Sequence, residues 1–454
     1  MHKLAIAILS AGSLALPVAQ ASARSCRGSS WPLVGANLAN TRSVPGGPSP
    51  AQAPTLTARW RFHAGDGDFT GTPIIGDCKV FVGSNGGVVR ALDEATGKVI
   101  WATQLKSPIP SSVALANGTV YVAGAATGAP FVAALAESTG RLLWKTTIDH
   151  QPDSDAYGSP LVFNGAVYEG IAGLVADEVG SSTISVRGAL VALDASTGAV
   201  RWHTYTVPPG HDGGAIWSTP SLDARTGVLY VGDGNAYHAP AASTTDSVLA
   251  IDANDGALLE HFQATSGDVF GATSLIGPDF DFGASANLLT LSDGTQAIGI
   301  GQKSGTYWML RRADLAPIWH TRVGLGNAFG GIVGSTAVDR NDIYGPNTVP
   351  GYMWALDREG GALAWIDPGL DALHYGPASV SNGVLYTEDS LGFLDATDAA
   401  TGLPLARIEL NPIPTTSYAE AYGGVAIANG LVFADTGSQS QTGDVIAFAP
   451  RALF

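Results

Sequence analysis

One pattern recurs along this chain: Ala-Leu-Asp, a few residues, Thr-Gly, then an apolar run ending in Trp. It reads ALDEATGKVIW (Ala91 to Trp101), ALAESTGRLLW (Ala134 to Trp144), ALDASTGAVRW (Ala192 to Trp202), AIDANDGALLEHF (Ala250 to Phe262) and ALDREGGALAW (Ala355 to Trp365). MLRRADLAPIW (Met309 to Trp319) fits between the last two, and a degraded copy, ATDAATGLPLARI, follows from Ala396 to Ile408. Self-similarity at a period of tens of residues points to a repeat architecture in which each unit is one supersecondary element. Ahead of each copy stands a second pair of strand signals, as in SVALANGTVYVAG (Ser112 to Gly124), SPLVFNGAVYEG (Ser159 to Gly170), TPSLDARTGVLYVGDG (Thr219 to Gly234) and GPASVSNGVLYTED (Gly376 to Asp389). Asn-Gly between alternating apolar runs is a strong hairpin signal, because both positions accept positive φ. Each unit thus supplies four strands, and eight units across Trp60 to Pro450 give about 49 residues apiece, the length of a propeller blade.

The ends of the array decide between a ring and a rod. The last unit, GGVAIANGLVFADTGSQSQTGDVIAFAP (Gly423 to Pro450), stops before its Trp-bearing strand, and ARWRF (Ala58 to Phe62) is such a strand with nothing before it. Pairing the two closes a ring and hides both sheet edges, whereas a solenoid needs a capping unit at each end. The expected fold is all-β, an eight-bladed β-propeller over residues 58–454, closed by the N-terminal strand. Composition agrees: 58 Gly, 45% hydrophobic and only 14% charged residues suit short buried strands and tight turns rather than long surface helices or disorder. The recurrent Trp101, Trp144, Trp202, Trp319 and Trp365 are expected to pack between blades and to carry no chemistry.

Residues 1–23 read as a secretory signal, with Lys3, an apolar stretch from Leu4 to Val18 and Ala21-Ser22-Ala23 as cleavage site; residues 24–57 then form an N-terminal arm. A membrane anchor is the weaker alternative, because Gly12 and Pro17 break a short apolar stretch. The expected location is therefore secreted or periplasmic. The formal charge of −16 disfavours nucleic acid and anionic membranes as partners. Cys26 and Cys78 are the only cysteines. In an oxidising compartment they pair to pin the arm to the first repeat, the alternative being two unpaired buried thiols. No C-x-x-C-H haem attachment is present.

The middle of the chain adds a more specific pattern. SVRGALVALDASTGAVRWHTY, GGAIWSTPSLDARTGVLYVGDGNAY, GPDFDFGASANLL and GQKSGTYWMLRR follow in that order between Ser185 and Arg312. Together with the Trp-bearing repeat they resemble the pyrroloquinoline-quinone (quinoprotein) β-propeller family, within it the polyvinyl alcohol dehydrogenase-like proteins. The resemblance implies a flat orthoquinone held on an aromatic floor, a cation at its carbonyl edge, a metal acting as Lewis acid and a general base for the alcohol proton. Trp217 matches the family's stacking Trp, Lys303 its basic quinone contact, and Arg187 is implied as a further cofactor contact. Asn235 matches the amide ligand to calcium. Asp281 matches the catalytic base, and Asp279 lies two residues earlier, on the same face if the segment is extended, so that the two carboxylates together are candidate ligands to the metal ion as well. Glu178 is the candidate acidic calcium ligand, with Asp177 beside it and Glu169 further off. One departure stands out: the adjacent cysteines that related sequences carry before this Arg-Gly are replaced here by approximately Thr183-Ile184.

The resemblance implies an exported quinone-dependent alcohol dehydrogenase using pyrroloquinoline quinone and calcium, which oxidises a primary, secondary or polymeric alcohol. Its electrons would leave to a separate acceptor such as a cytochrome c. The alternative is a cofactor-free propeller serving as an interaction or assembly scaffold. A scaffold has no reason to hold Trp217, Asn235, Asp281 and Lys303 together.

Overall fold

The computed structural model describes residues 28–173, 183–271, 277–367, 372–410, 421–437 and 442–451. The signal segment, Cys26 and Glu178 lie outside them. Its strands form eight sheets of four, one of them with a fifth short strand, each an antiparallel meander. Blade 1 consists of Ile74–Gly76, Lys79–Gly83, Val88–Asp93 and Val99–Gln104. Blades 2 to 7 follow in sequence, with outer strands Leu142–Thr147, Val200–Tyr205, Leu258–Gln263, Pro317–Arg322, Leu363–Ile366 and Pro404–Glu409. Blade 8 takes Ala426–Ala428, Leu431–Asp435 and Gly443–Pro450 from the end of the chain and Leu56–Ala64 from its beginning. This eight-bladed β-propeller, closed by the N-terminal strand, is the fold expected from the repeat.

The repeat's residues have physical reasons. In blade 1, Ala91 lies directly opposite Trp101, and a bulge just before the Trp shifts the register so that Leu92 faces Val99. The same small-opposite-large pairing and bulge place Ala134 against Trp144, Ala192 against Trp202 and Ala355 against Trp365. Each indole then docks on the turn of the next blade. Trp101 donates to the Glu137 carbonyl at 2.8 Å and lies against Gly140, whose φ of +68° no Cβ tolerates easily and where a Cβ would stand 2.5 Å from the ring. Trp60, Trp144, Trp202, Trp319 and Trp365 meet Gly97, Gly198, Gly256, Gly361 and Gly402 in the same way.

The two blades without a Trp confirm the coupling. Blade 4 has Glu260 opposite Ala250, so Phe262, which the sequence pattern aligned with the Trp, actually pairs two residues further on with Val248. The next blade carries Leu315 at positive φ where the others carry Gly, and its side chain is buried in one cluster with Tyr230, Val248 and Ala250 of blade 4. Blade 7 has Ala406 opposite Ala396, and its neighbour, blade 8, is made of separate chain ends with no turn to receive a Trp.

Near the axis the inner strands are joined by hydroxyls. The amides of Ser112, Ser159, Thr219 and Ser285 donate to the hydroxyls of Ser159, Thr219, Ser285 and Ser335, each one blade on. The face carrying the hairpin turns of the first two strands is covered by the N-terminal arm. Its backbone exchanges hydrogen bonds with Ile75, Leu115, Leu222, Leu288, Val338 and Val380, in blades 1, 2, 4, 5, 6 and 7. Arg42, fully buried under Trp31, donates to the carbonyls of Ala378 and Val34. Cys78 is disulfide-bonded. The opposite face is left to the blade-to-blade loops and the turns between second and third strands, and there the candidate site lies.

Candidate active site

A cavity of about 160 Å³ opens on that face between blades 3, 4 and 5, lined by Tyr157, Ala172, Gly173, Ala215, Trp217, Tyr237, Phe270, Asp279, Asp281 and Lys303. Trp217 stands in the loop entering blade 4, two residues before the hydroxyl that joins inner strands. In the next unit that position is Gly283, and the indole lies so close over it that a Cβ would stand 1.9 Å from the ring. The ring is held at its other edge by Nε1, which donates to Asp281 Oδ2 at 3.2 Å. The floor of the cavity is thus fixed in plane and orientation.

Asp281 is gripped from several sides. Oδ1 accepts from the Asn235 amide at 2.9 Å, Oδ2 lies 3.9 Å from Lys303 Nζ, and its backbone carbonyl accepts from the Lys303 amide. Lys303 Nζ donates to Asp279 Oδ2 at 2.7 Å. Both carboxylates face the Lys303 ammonium, but not by the extended segment the sequence reading supposed: Asp279 has φ +50° and its amide donates to Asp268, as does that of Phe280. Asn235 spends both protons of its side-chain nitrogen on the carbonyls of Ala236 and Phe270, so its oxygen is the end that remains for a ligand.

Behind the wall lie more carboxyls than the sequence reading named. Asp233 and Asp246 are fully buried, and neither oxygen of Asp246 nor Oδ2 of Asp233 has a hydrogen-bond partner. Burial pushes Asp246 well above the usual carboxylate range, and Asp281, Asp268, Asp233 and Asp279 push it further. Burial likewise raises Asp268, against the two amides that bond it. One lysine therefore stands among five aspartates. Burial holds Asp233 and Asp246 toward their neutral forms, and the donors that remain nearer the cavity, an aspartate and an amide oxygen, are the hard oxygen ligands calcium takes. Among the described residues no three His, Cys, Asp or Glu side chains converge on one point, so the ligand set would be a mixed one.

Two expected residues fall elsewhere. Arg187 does not line the cavity: its guanidinium donates to the Val207 carbonyl and lies 3.8 Å over the Tyr205 ring. Glu169 is buried below the cavity, with Oε1 accepting from the Gly170 amide and Oε2 unpartnered, and burial raises its pKa well above the ordinary value. Glu178 and Asp177 lie outside the described residues. Conversely, Tyr157 and Tyr237 were not singled out. Tyr157 was within reach, because Tyr157-Gly-Ser-Pro repeats the position of Trp217 in Trp217-Ser-Thr-Pro one unit later. Phe270 and Ala172 carry no such signal.

Comparison with known proteins places this geometry. Residues 85–367 match the family model described as outer membrane protein assembly factor BamB, whose repeat is the quinoprotein one. A polyvinylalcohol dehydrogenase of Sphingopyxis sp. (strain 113P3) is 31% identical over 85% of this chain and 69% of its own length. A quinohemoprotein alcohol dehydrogenase of Comamonas testosteroni is 29% identical over 56% of this chain and 41% of its own. The crystal structure of quinohemoprotein alcohol dehydrogenase from that organism superimposes with a TM-score of 0.75 over 92% of this chain and 80% of that one, at 19% identity, a likeness of fold. With an eight-bladed ring, the repeat of that family and relatives of this identity over most of the chain, the protein belongs to the pyrroloquinoline-quinone β-propeller family, among its alcohol dehydrogenases.

Proposed function

We propose that this chain oxidises alcohols with pyrroloquinoline quinone and calcium bound in the cavity between blades 3 and 5, Asp281 serving as general base. The observation that carries the reading is the convergence of Trp217, Asp281 and Lys303 from three separate loops on one cavity wall. When bound, the quinone accepts the hydride equivalent from the carbinol carbon and calcium polarises its carbonyl. The chain's own residues do the rest. Trp217 offers its face to a flat ring system, its plane set by Gly283 and its edge by Asp281. Lys303 holds a positive charge beside the oxygens that gain electron density, and Asn235 presents an amide oxygen to the metal, as Glu178 would a carboxylate. Asp281, held by the Asn235 amide on one oxygen, takes the carbinol proton on the other as the C–H bond breaks.

The notional path for this protein runs through export, on the strength of the segment before residue 24, and through a separate electron acceptor such as a cytochrome c. Among the described residues no helix is long and apolar enough to cross a membrane. The test is reconstitution of the purified protein with quinone and calcium, followed by dye reduction with a panel of alcohols. Asp281→Asn should bind the quinone and lower turnover by about 10²–10⁴ at saturating calcium. Parental turnover in that variant would remove Asp281 from the role. A parent that neither binds quinone nor oxidises any alcohol would leave the scaffold reading in possession.

A further inference from the structure

The turn that carries Asp279 and Asp281 does not hold itself. Asp279 stands in the left-handed region, which few side chains adopt, and the amides of Asp279 and Phe280 both meet one carboxylate. That carboxylate is Asp268, buried in the loop from blade 4 to blade 5: Oδ1 accepts from Asp279 at 3.2 Å and Oδ2 from Phe280 at 2.8 Å. The Phe280 carbonyl, between the two site aspartates, accepts in turn from the side chain of Gln302 at 2.7 Å, next to Lys303. The same short segment reaches the amide ligand on its other side. Val269 bridges to Ala236, the Asp268 carbonyl accepts from the Ala236 amide, and the Phe270 amide donates to the Ala236 carbonyl. The Phe270 carbonyl then takes one proton of the Asn235 side chain at 2.8 Å. Residues 268–270 therefore tie Asn235 and the turn of Asp279 and Asp281 to one piece of backbone.

We infer that Asp268 is a positioning residue, whose two oxygens fix the turn at 279–281, and with it the base and the acidic side of the metal site, before calcium or quinone arrives. The inference rests on the proposed alcohol oxidation at this cavity. The chemistry of the contact asks for a carboxylate. Two adjacent amides need two acceptor atoms, and Asp supplies them side by side, whereas an amide side chain of the same shape would turn one N–H against another. Without those acceptors the two buried N–H groups would go unpaired, and a turn that opened to satisfy them would carry both carboxylates with it. The ion pair of Asp279 with Lys303 and the bond of Asp281 to Trp217 both depend on where this turn stands. Asp268 itself does not line the cavity, so its effect passes through its neighbours.

The experiment compares the full chain with Asp268→Asn, which keeps the shape but loses one acceptor. Asp212→Asn is the control: it alters a buried carboxylate in the loop from blade 3 to blade 4 that bonds only His238. Calcium alone is titrated into each protein by calorimetry without quinone, and kcat and KM for one alcohol are then measured with quinone, calcium and an artificial dye. Asp268→Asn should bind calcium about 10–100-fold more weakly and lose a similar factor in kcat, with KM changed by less than about threefold, while Asp212→Asn keeps the parental values. A folded Asp268→Asn of parental calcium affinity and kcat overturns the inference. Equal losses in both variants overturn it as well, since they would report the removal of any buried charge on this face. Amide hydrogen exchange in the parent, free of calcium and quinone, decides the matter even if Asp268→Asn does not fold. The amides of Asp279 and Phe280 should exchange at least about a hundredfold more slowly than in an unstructured peptide, and exchange at the unstructured rate would show that no clamp stands before the ligands arrive. If the parent binds neither calcium nor quinone, the enzymatic reading fails, and the exchange rates still decide whether Asp268 holds the turn.

Discussion

Asp279 and Asp281 stand two residues apart and both face Lys303, yet their surroundings differ. Asp281 is bonded to an indole and a backbone amide, whereas Asp279 is 2.7 Å from the ammonium and acts as its counter-ion. Asp279→Asn would leave Lys303 with less compensation beside the quinone, so the reduced, more anionic form should be favoured: the midpoint potential of the bound quinone is expected to rise, and a potential equal to the parent's would show that the pair does not act on the cofactor. A second buried acid makes a pH prediction far from the site. Glu388, in blade 7, accepts from the Asp435 amide, and burial, with Asp389 adding and Arg42 opposing, pushes it up to about 8. A carboxyl raised on folding contributes stability that is complete below its unfolded pKa and is lost as pH rises through the folded value. Melting temperature should therefore fall between about pH 5 and 9, and Glu388→Gln should flatten that slope and melt higher than the parent above pH 8. That Trp217, Asp281 and Lys303 would share one cavity was legible only through the family resemblance of the segments that carry them, since each taken alone reads as a packing, loop or surface residue. Asp233 and Asp246 were not legible: one reads as a turn residue after a strand and the other as part of a Thr-Thr-Asp-Ser loop, and only the packing of blade 4 shows that their oxygens are buried.

Between neighbouring blades, the unit of cohesion is the Trp of one outer strand and the turn of the next blade. Wherever the receiving turn carries Gly at positive φ, the donating strand carries Trp; where the turn carries Leu315, the strand carries Glu260. The two positions are steric partners, which gives a test by double substitution. Glu260→Trp alone should destabilise or do nothing, since Leu315 stands where the receiving turns carry Gly. Together with Leu315→Gly, which also relieves a strained left-handed leucine, it should raise the urea midpoint above the parent, with a coupling of about 1–3 kcal/mol in a double-mutant cycle. Additive effects would deny the partnership. Repeat number and strand pairing were readable from the sequence because Ala, Thr-Gly and Trp each answer a geometric demand of the blade. The alignment slipped in blade 4, where an aromatic at Phe262 stood in for the missing Trp and the bulge that sets the register left no mark in composition.

Over the whole molecule, closure rests on Leu56–Ala64 pairing with Gly443–Pro450, reinforced by Arg61 and His63 on Asp444. Removal of residues 24–62 should bare two sheet edges and give insoluble protein, while removal of 28–48 alone should keep the ring but uncover the axis and lose the Arg42 contacts. Soluble protein of unchanged melting temperature after the longer deletion would contradict closure by this strand. Thiol titration of the unfolded, unreduced mature protein should find no free thiol, since Cys78 is disulfide-bonded and Cys26 is its one possible partner within the chain. The closing strand also sets a timetable. Arg61 and Asp444 are 383 residues apart, and a ribosome making the chain from its N-terminus releases the first strand long before its neighbours exist. Seven blades can form in order as they emerge, but the eighth waits for the last segment, and through that interval the earliest strand must remain extended, unpaired and apolar on one side. A chaperone that shields such a strand would act on residues 56–64, and a chain stalled short of residue 443 would have nothing to close against.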